Sequence, residues 1–220
     1  MFKLTKLVTA APGADRAALT AALSAAGESP LVRRAMLQPT LPGVFNGGDY
    51  IWHLQFADEP GYRAWRIDPK GGRAAESVLA DVALVSHVDS AAYRGGRSGS
   101  KGELKRGAYR TLLLSVHRAP SQAAITQFDI ETYEMGLYIP TIINWQVSRV
   151  VEASGARPWT HVWEQEYADI GGLHGAYMLH PHHWGHIDRW YDPECTDFMV
   201  DSHLCHTFCD FEGAVIGAGK

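Results

Sequence analysis

Tyr50-Ile51-Trp52-His53-Leu54-Gln55-Phe56-Ala57-Asp58 places Tyr50, Trp52, Leu54 and Phe56 at every second position. Side chains that recur with a period of two share one face of a strand, so the stretch reads as a strand with one apolar face. A second stretch, Trp159-Thr160-His161-Val162-Trp163-Glu164-Gln165-Glu166-Tyr167-Ala168-Asp169, matches it down to the aromatic–Ala–Asp ending and also carries a histidine. The match points to two copies of one unit in a single chain.

Outward from Tyr50, the first copy reads strand, helix, strand, strand, helix, strand. Lys3 to Ala10 forms the first strand, and Ala11-Pro12-Gly13 turns into an alanine-rich helix that opens near Asp15 and ends near Gly27. Leu31 to Leu37 has the apolar content of a strand. Beyond Asp58 a short helix from Tyr62 to Ile67 breaks at Asp68-Pro69-Lys70-Gly71-Gly72, helix resumes from Arg73 towards Ala80, and Ala83 to Val88 closes the unit. The second copy begins with a strand from Arg110 to His117 running into Ala119-Pro120, followed by a helix from Ser121 to Tyr138 and a strand from Ile143 to Val151. After Asp169 a helical start reaches Tyr177, Trp190 to Val200 is expected to be mostly helix, and His206 to Phe211 is the last strand. Pro12 corresponds to Pro120 and Pro69 to Pro181 at a nearly constant offset.

A βαββαβ order with an alternating third strand implies an antiparallel sheet covered by helices on one face. The other face is apolar too, so the expected fold is α+β: two tandem ferredoxin-like halves whose sheets stack around an internal eight-stranded barrel. The boundaries are an N-terminal half over residues 1–96, a glycine-rich linker over 97–107 and a C-terminal half over 108–220.

The composition suits that plan. A chain of 220 residues, 46% hydrophobic and 20% charged, can bury a full core. A net charge of −4 argues against a nucleic-acid binder or a basic membrane-surface protein. No apolar run reaches the ~18 residues of a membrane span, and Met1 to Ala10 lacks the unbroken apolar core of a leader, so a cytoplasmic protein is expected. Cys195, Cys205 and Cys209 form no CxxC pair, and the alternation of Cys205 and Cys209 fits buried free thiols on a strand.

Candidate chemistry gathers in Tyr177-Met178-Leu179-His180-Pro181-His182-His183-Trp184-Gly185-His186, which holds four of the eleven histidines. Histidine exchanges protons near neutral pH and binds metals. His183, held by Tyr177 or His161, is a candidate general base for a proton on carbon next to a carbonyl, or on a phenol. Tyr177 is a candidate donor to the oxyanion that develops, with His161 orienting the substrate. Trp145, Trp159, Trp163 and Trp184 suit the walls of an aromatic or acyl site, as they equally suit a core. The first half keeps His53 but has Trp65, Asp68 and Gly71 in place of the other groups, so it is expected to be the barrel's structural partner or a lid. His180, His182, His183 and His186, with Asp188, are the alternative metal set, although neither HExxH nor a two-histidine–carboxylate pattern is present.

This layout, with His-Pro-x-His after the third strand, resembles the dimeric α+β barrel family, also called stress-responsive A/B barrel proteins. Single-copy members pair as homodimers, so the resemblance implies an internal pseudo-dimer here, with further homodimerisation open. In motif terms the resemblance is closest to the plant polyketide cyclases that close olivetolic acid, which combine a third-strand histidine with Tyr-x-x-His-Pro-x-His. His161, Tyr177, His180-Pro181 and His183 occupy those places. The cyclases also carry a first-strand histidine, where this chain has Thr111 nearby and His117 at the strand's other end. The resemblance implies a cofactor-free cyclase, lyase or isomerase acting on a small aromatic or polyketide-like molecule, with catalytic His183, Tyr177, His161 and His180; beside it, the residues themselves offer Trp163, Trp184, His53 and Trp145 as expected substrate contacts. A non-catalytic stress-response protein that binds a small molecule is the alternative. Related barrels also hold haem through a histidine, and no feature of this sequence selects for it.

Overall fold

The computed structural model describes residues 1–117 and 121–216. The first half runs β1 (Phe2–Ala10), α1 (Arg16–Gly27), β2 (Val32–Pro39), β3 (Tyr50–Phe56), α2 (Glu59–Ile67), α3 (Gly72–Leu79) and β4 (Val85–Arg94). The second runs β5 (Arg97–Ser100), β6 (Arg106–Leu114), α4 (Gln122–Tyr138), β7 (Asn144–Ser154), β8 (His161–Tyr167), a series of short helical turns (Gly172–Tyr177, His183–Ile187 and Asp188–Trp190), and β9 (Cys205–Glu212). The helices begin where side chains cap them. Asp15 accepts from the Ala18 amide, Asp58 from Gly61 and Ser121 from Ala124.

All strand pairs are antiparallel, in the order β2-β3-β1-β4-β7-β8-β6-β9 with β5 beside β7. The sheet is continuous through β4 and β7 and curls until its two edges meet. There the Arg34 side chain on β2 donates to the carbonyls of Glu212 and Gly213 at the end of β9. The loop between β2 and β3 lies along β9, with Leu41 donating to the Phe208 carbonyl and Phe45 exchanging two backbone hydrogen bonds with His206. That loop satisfies an edge strand that would otherwise present bare amides and carbonyls.

Alternation sorts the side chains into three cores. Tyr50, Trp52, Leu54 and Phe56 face α1–α3 as the sequence predicts, and Leu112, Trp163 and Phe208 face α4 and the helical turns. Between the halves, Leu7, Ile51, Tyr93, Tyr109, Leu113, Val162, Cys205 and Cys209 fill the inside of the curled sheet. The cysteines are free there. Charge is buried in that interior as well: Lys3 Nζ lies 3.0 Å from Glu164 Oε2, and the Tyr109 hydroxyl donates to Glu164 Oε1 at 2.9 Å.

Two expected segments differ. Residues 97–100 of the expected linker form β5, because their backbone pairs with Asn144–Val147. The expected helix from Trp190 to Val200 is limited to the turn Asp188–Trp190. Asp192 accepts from the Glu194 amide around Pro193, and the amides of Met199 and Val200 both return to the Trp190 carbonyl, closing a loop instead. The expected turn at Ala119-Pro120 lies outside the described residues. Among the described residues no helix is long and apolar enough to cross a membrane.

Candidate functional site

On the outer face of the second half, β6, β8 and β9 present Arg110, Trp163 and His206 towards the helical turns. A cavity of about 380 Å³ lies between them. Its other walls include Tyr177 and His183 from the turns and Phe45 from the β2–β3 loop. The first half therefore contributes directly to this wall.

Local chemistry aims His183 inward. Pro181 leaves no amide to satisfy, His180 Nδ1 accepts from the His182 amide at 3.2 Å, and the His183 amide returns to the His180 carbonyl at 2.9 Å. The turn so formed sets the His183 ring 4.6 Å from that of Tyr177. The turns are tied to α4 by Glu131, whose side chain is buried. Its carboxylate accepts from Arg189 Nη2 and from Trp190 Nε1, each at 2.7 Å.

Arg110 is 4% exposed. Its Nη1 donates to Gln165 Oε1 and, at 2.9 Å, to the Tyr177 hydroxyl, leaving that hydroxyl's own proton free to be donated. Among the described residues His183 Nδ1, His206 Nε2, Trp163 Nε1 and Arg110 Nε are buried without a hydrogen-bond partner. Burial, reinforced by the Arg110 charge, lowers the His183 pKa to about 4. The same causes, with His174 and His183 adding to them, lower that of His206 to about 2. Both rings are therefore neutral at pH 7. Asp188 lies 3.8 Å from His183 Nδ1, and burial and then Asp192 raise its pKa.

The remaining sequence candidates go elsewhere. His161 stands on the helix-facing side of β8 but outside the cavity, with Nδ1 2.8 Å from Thr160 Oγ1 and Nε2 3.2 Å from Asp129 Oδ1, behind Phe128. His53 lies inside the curled sheet, 2.9 Å from Thr5 Oγ1, because its strand neighbours take the helix-facing side. Trp145 packs on Tyr133 and against Gly136, where a Cβ would come within 2.2 Å of the indole. Trp184 is 60% exposed and donates to the Leu179 carbonyl. Only Trp163 of the four expected substrate contacts lines the cavity.

The four clustered histidines do not converge either. His183 enters the cavity, His180 caps a turn, the His182 ring lies tilted against that of Tyr138 at 4.6 Å, and His186 lies beside Arg189 and Glu131. Among the described residues no three histidine, cysteine, aspartate or glutamate side chains form a metal-binding group.

Arg110 and His206 were not anticipated. Parity held the signal: Leu112 and Leu114 are apolar helix-facing positions of β6, so Arg110 must share their face, whereas Thr111 points into the curled sheet.

Residues 108–202 match the family model of the stress responsive A/B barrel domain. The A/B barrel domain match takes in Arg110, Trp163, Tyr177 and His183 and ends before β9, so His206 lies beyond it. Among solved structures the chain is similar to an anthrone oxidase-like protein, at 6% identity and a TM-score of 0.71, over 95% of this chain and 90% of that one. It is also similar to a presumed monooxygenase from Lactobacillus acidophilus, at 13% identity and a TM-score of 0.57, over 98% and 97% of the two chains. A presumed monooxygenase from Fusobacterium nucleatum aligns at 8% identity with a TM-score of 0.58, over 97% and 95%. At such identities these likenesses show the fold alone. No curated protein matches the sequence.

Proposed function

We propose that the chain is a cofactor-free acid–base enzyme of cyclase, lyase or isomerase type, acting on a small aromatic or polyketide-like molecule. One observation carries this reading. An imidazole nitrogen without a hydrogen-bond partner, on His183, and a tyrosine hydroxyl polarised by a buried guanidinium, on Tyr177, border the same largely apolar cavity. The volume of about 380 Å³ falls within the range of small-molecule sites.

In this mechanism His183 takes a proton from carbon next to a carbonyl, or from a phenol, and Tyr177 donates to the oxygen on which charge develops. The resulting enolate adds to a second carbonyl in aldol fashion and the new alkoxide takes the proton back from His183; in the cleavage direction His183 takes the proton of the β-hydroxyl, the carbon–carbon bond breaks, and the departing enolate is reprotonated by His183. His180 acts as a positioning residue through its turn, and His161 supports β8 against α4. Residues 1–96 play the part of a second chain in an internal pseudo-dimer, covering β9 and lending Phe45 to the wall of a site built by residues 108–220. The similarity to polyketide cyclases rests on Tyr177, His180-Pro181 and His183.

The names of the structural neighbours favour a second reading. In it the same carbanion adds to dioxygen, the co-substrate, forming a carbon–oxygen bond, and the peroxide anion takes the proton held by His183 to leave a hydroperoxide, an oxygenase outcome from the same first step.

Proton abstraction is common to both, and it is the step to test. Candidate β-keto and phenolic compounds incubated with the protein in D2O should exchange their acidic C–H for deuterium, read by proton NMR, and His183→Ala should abolish the exchange. Binding with no exchange of any candidate would make the chain a small-molecule-binding protein instead.

A further inference from the structure

We infer that the cavity takes a substrate bearing a carboxylate, and that Arg110 is the residue that holds it. The inference deepens the acid–base reading and rests on it for the word substrate, although the binding itself does not require turnover.

Arg110 is the reason. Isolating a guanidinium from water costs several kcal/mol unless a carboxylate and hydrogen bonds compensate it. Other arginines beside cavities either have such partners or stay in contact with water, as exposed Arg97 over Tyr133 and half-buried Arg34 do. Arg149 and Arg94, at a second cavity of about 440 Å³ between α4 and β7, pair with Asp129 and Glu59. Buried Lys3 pairs with Glu164, and half-buried Arg189 with Glu131. Arg110, at 4% exposure, has only neutral acceptors, Gln165 and Tyr177, and forms no ion pair among the described residues. The charge is left open towards the cavity.

The surroundings suit an anion of planar shape. Trp163 Nε1 is an uncommitted buried donor on the same wall, and the neutral His206 ring presents a second ring nitrogen there. A guanidinium binds a carboxylate through two parallel hydrogen bonds, which fixes the attached ring in one orientation relative to His183. Asp188, the carboxylate lining the cavity, stands against His183 rather than Arg110 and so leaves the guanidinium free. A bound carboxylate also offsets the positive charge that weakens His183 as a base, so binding the substrate readies the group that acts on it.

The test compares three probes of one ring: 2,4-dihydroxybenzoate, its methyl ester and resorcinol. Binding to the full chain is followed by quenching of tryptophan fluorescence at pH 7, since Trp163 borders the cavity. The acid should bind at least about tenfold tighter than the ester or resorcinol, one step in Kd of about 1.4 kcal/mol. Arg110→Met should erase that preference while still binding the neutral probes, and Arg110→Lys should restore part of it. His183→Ala should keep the preference although it loses deuterium exchange. Equal binding of acid and ester by the wild type, no binding of any probe, or a preference that survives in Arg110→Met would each overturn the inference. Should Arg110→Met fail to fold, the acid–ester comparison in the wild type decides alone. A preference for the acid in a protein that exchanges no candidate substrate would sustain the anion site and remove the enzyme reading. Exchange without the preference would do the reverse.

Discussion

Two neutral, half-buried imidazoles beside a guanidinium should make this protein sensitive to mild acid. In the unfolded chain His183 and His206 titrate near 6.5, whereas in the fold their values are about 4 and about 2. Both shifts are downward, so the fold favours the uncharged ring. The associated stability is complete above pH 6.5 and is lost as pH falls through 6.5 towards the folded values, because the unfolded chain takes up protons that the folded one refuses. Between pH 8 and pH 5 linkage gives a loss on the order of 2 kcal/mol for each ring, or about 4 kcal/mol for both. That is a large part of the ~5–15 kcal/mol by which domains are stable. Guanidinium unfolding of the wild type and of the His183→Asn, His206→Asn double variant, at both pH values, reads the effect. The double variant should lose about 4 kcal/mol less than the wild type over this interval. Only the change with pH matters, so any packing cost of the substitutions cancels, as does the contribution of buried His53, which both proteins share. Equal losses in the two proteins would show that the rings are not held neutral and that the electrostatics assigned to the cavity are mistaken.

Two further outcomes follow from buried charge. Glu131→Gln removes the carboxylate that ties Arg189 and Trp190 to α4, so it should cost about 2 kcal/mol. Hydrogen exchange should then quicken at residues 183–190 well before it does in β6; uniform exchange across both would contradict the anchoring role. Lys3→Met strands the Glu164 charge inside the curled sheet and should cost about 3 kcal/mol or more in urea unfolding, whereas Lys3→Met with Glu164→Gln should recover most of it. Additive losses in the double variant would mean that the two side chains do not act as a pair.

Much of the architecture was legible in the amino acids. Period-two alternation in Tyr50–Phe56 identified the strand and its helix-facing side, because a strand has no other way to place four large apolar groups on one face. Asp15 and Ser121 stand at the helix starts because their short side chains satisfy amides that the helix itself leaves free. Local propensity misled at residues 97–100, where pairing with a distant strand overrode a flexible composition, and at Trp190–Val200, where a proline turn and a returning backbone closed a loop.

The cavity was only half legible. Tyr177 and His183 lie close along the chain, in a motif whose proline dictates a tight turn, and so could be named together. His161 shared a face with Trp163 but was drawn to Asp129 on α4, a partner that strand parity cannot reveal. Arg110, His206 and Phe45 come from three separate elements, and although strand parity puts Arg110 on the helix-facing side of β6, nothing in the local sequence says that the three meet. Only the curling of the sheet, which brings β9 beside the β2–β3 loop and lays the helical turns over β6, decides that they meet. Short-range order follows from periodicity and capping, which act over a few residues. A site assembled across the whole chain depends on how the layers close, and that is set by the sum of long-range packing.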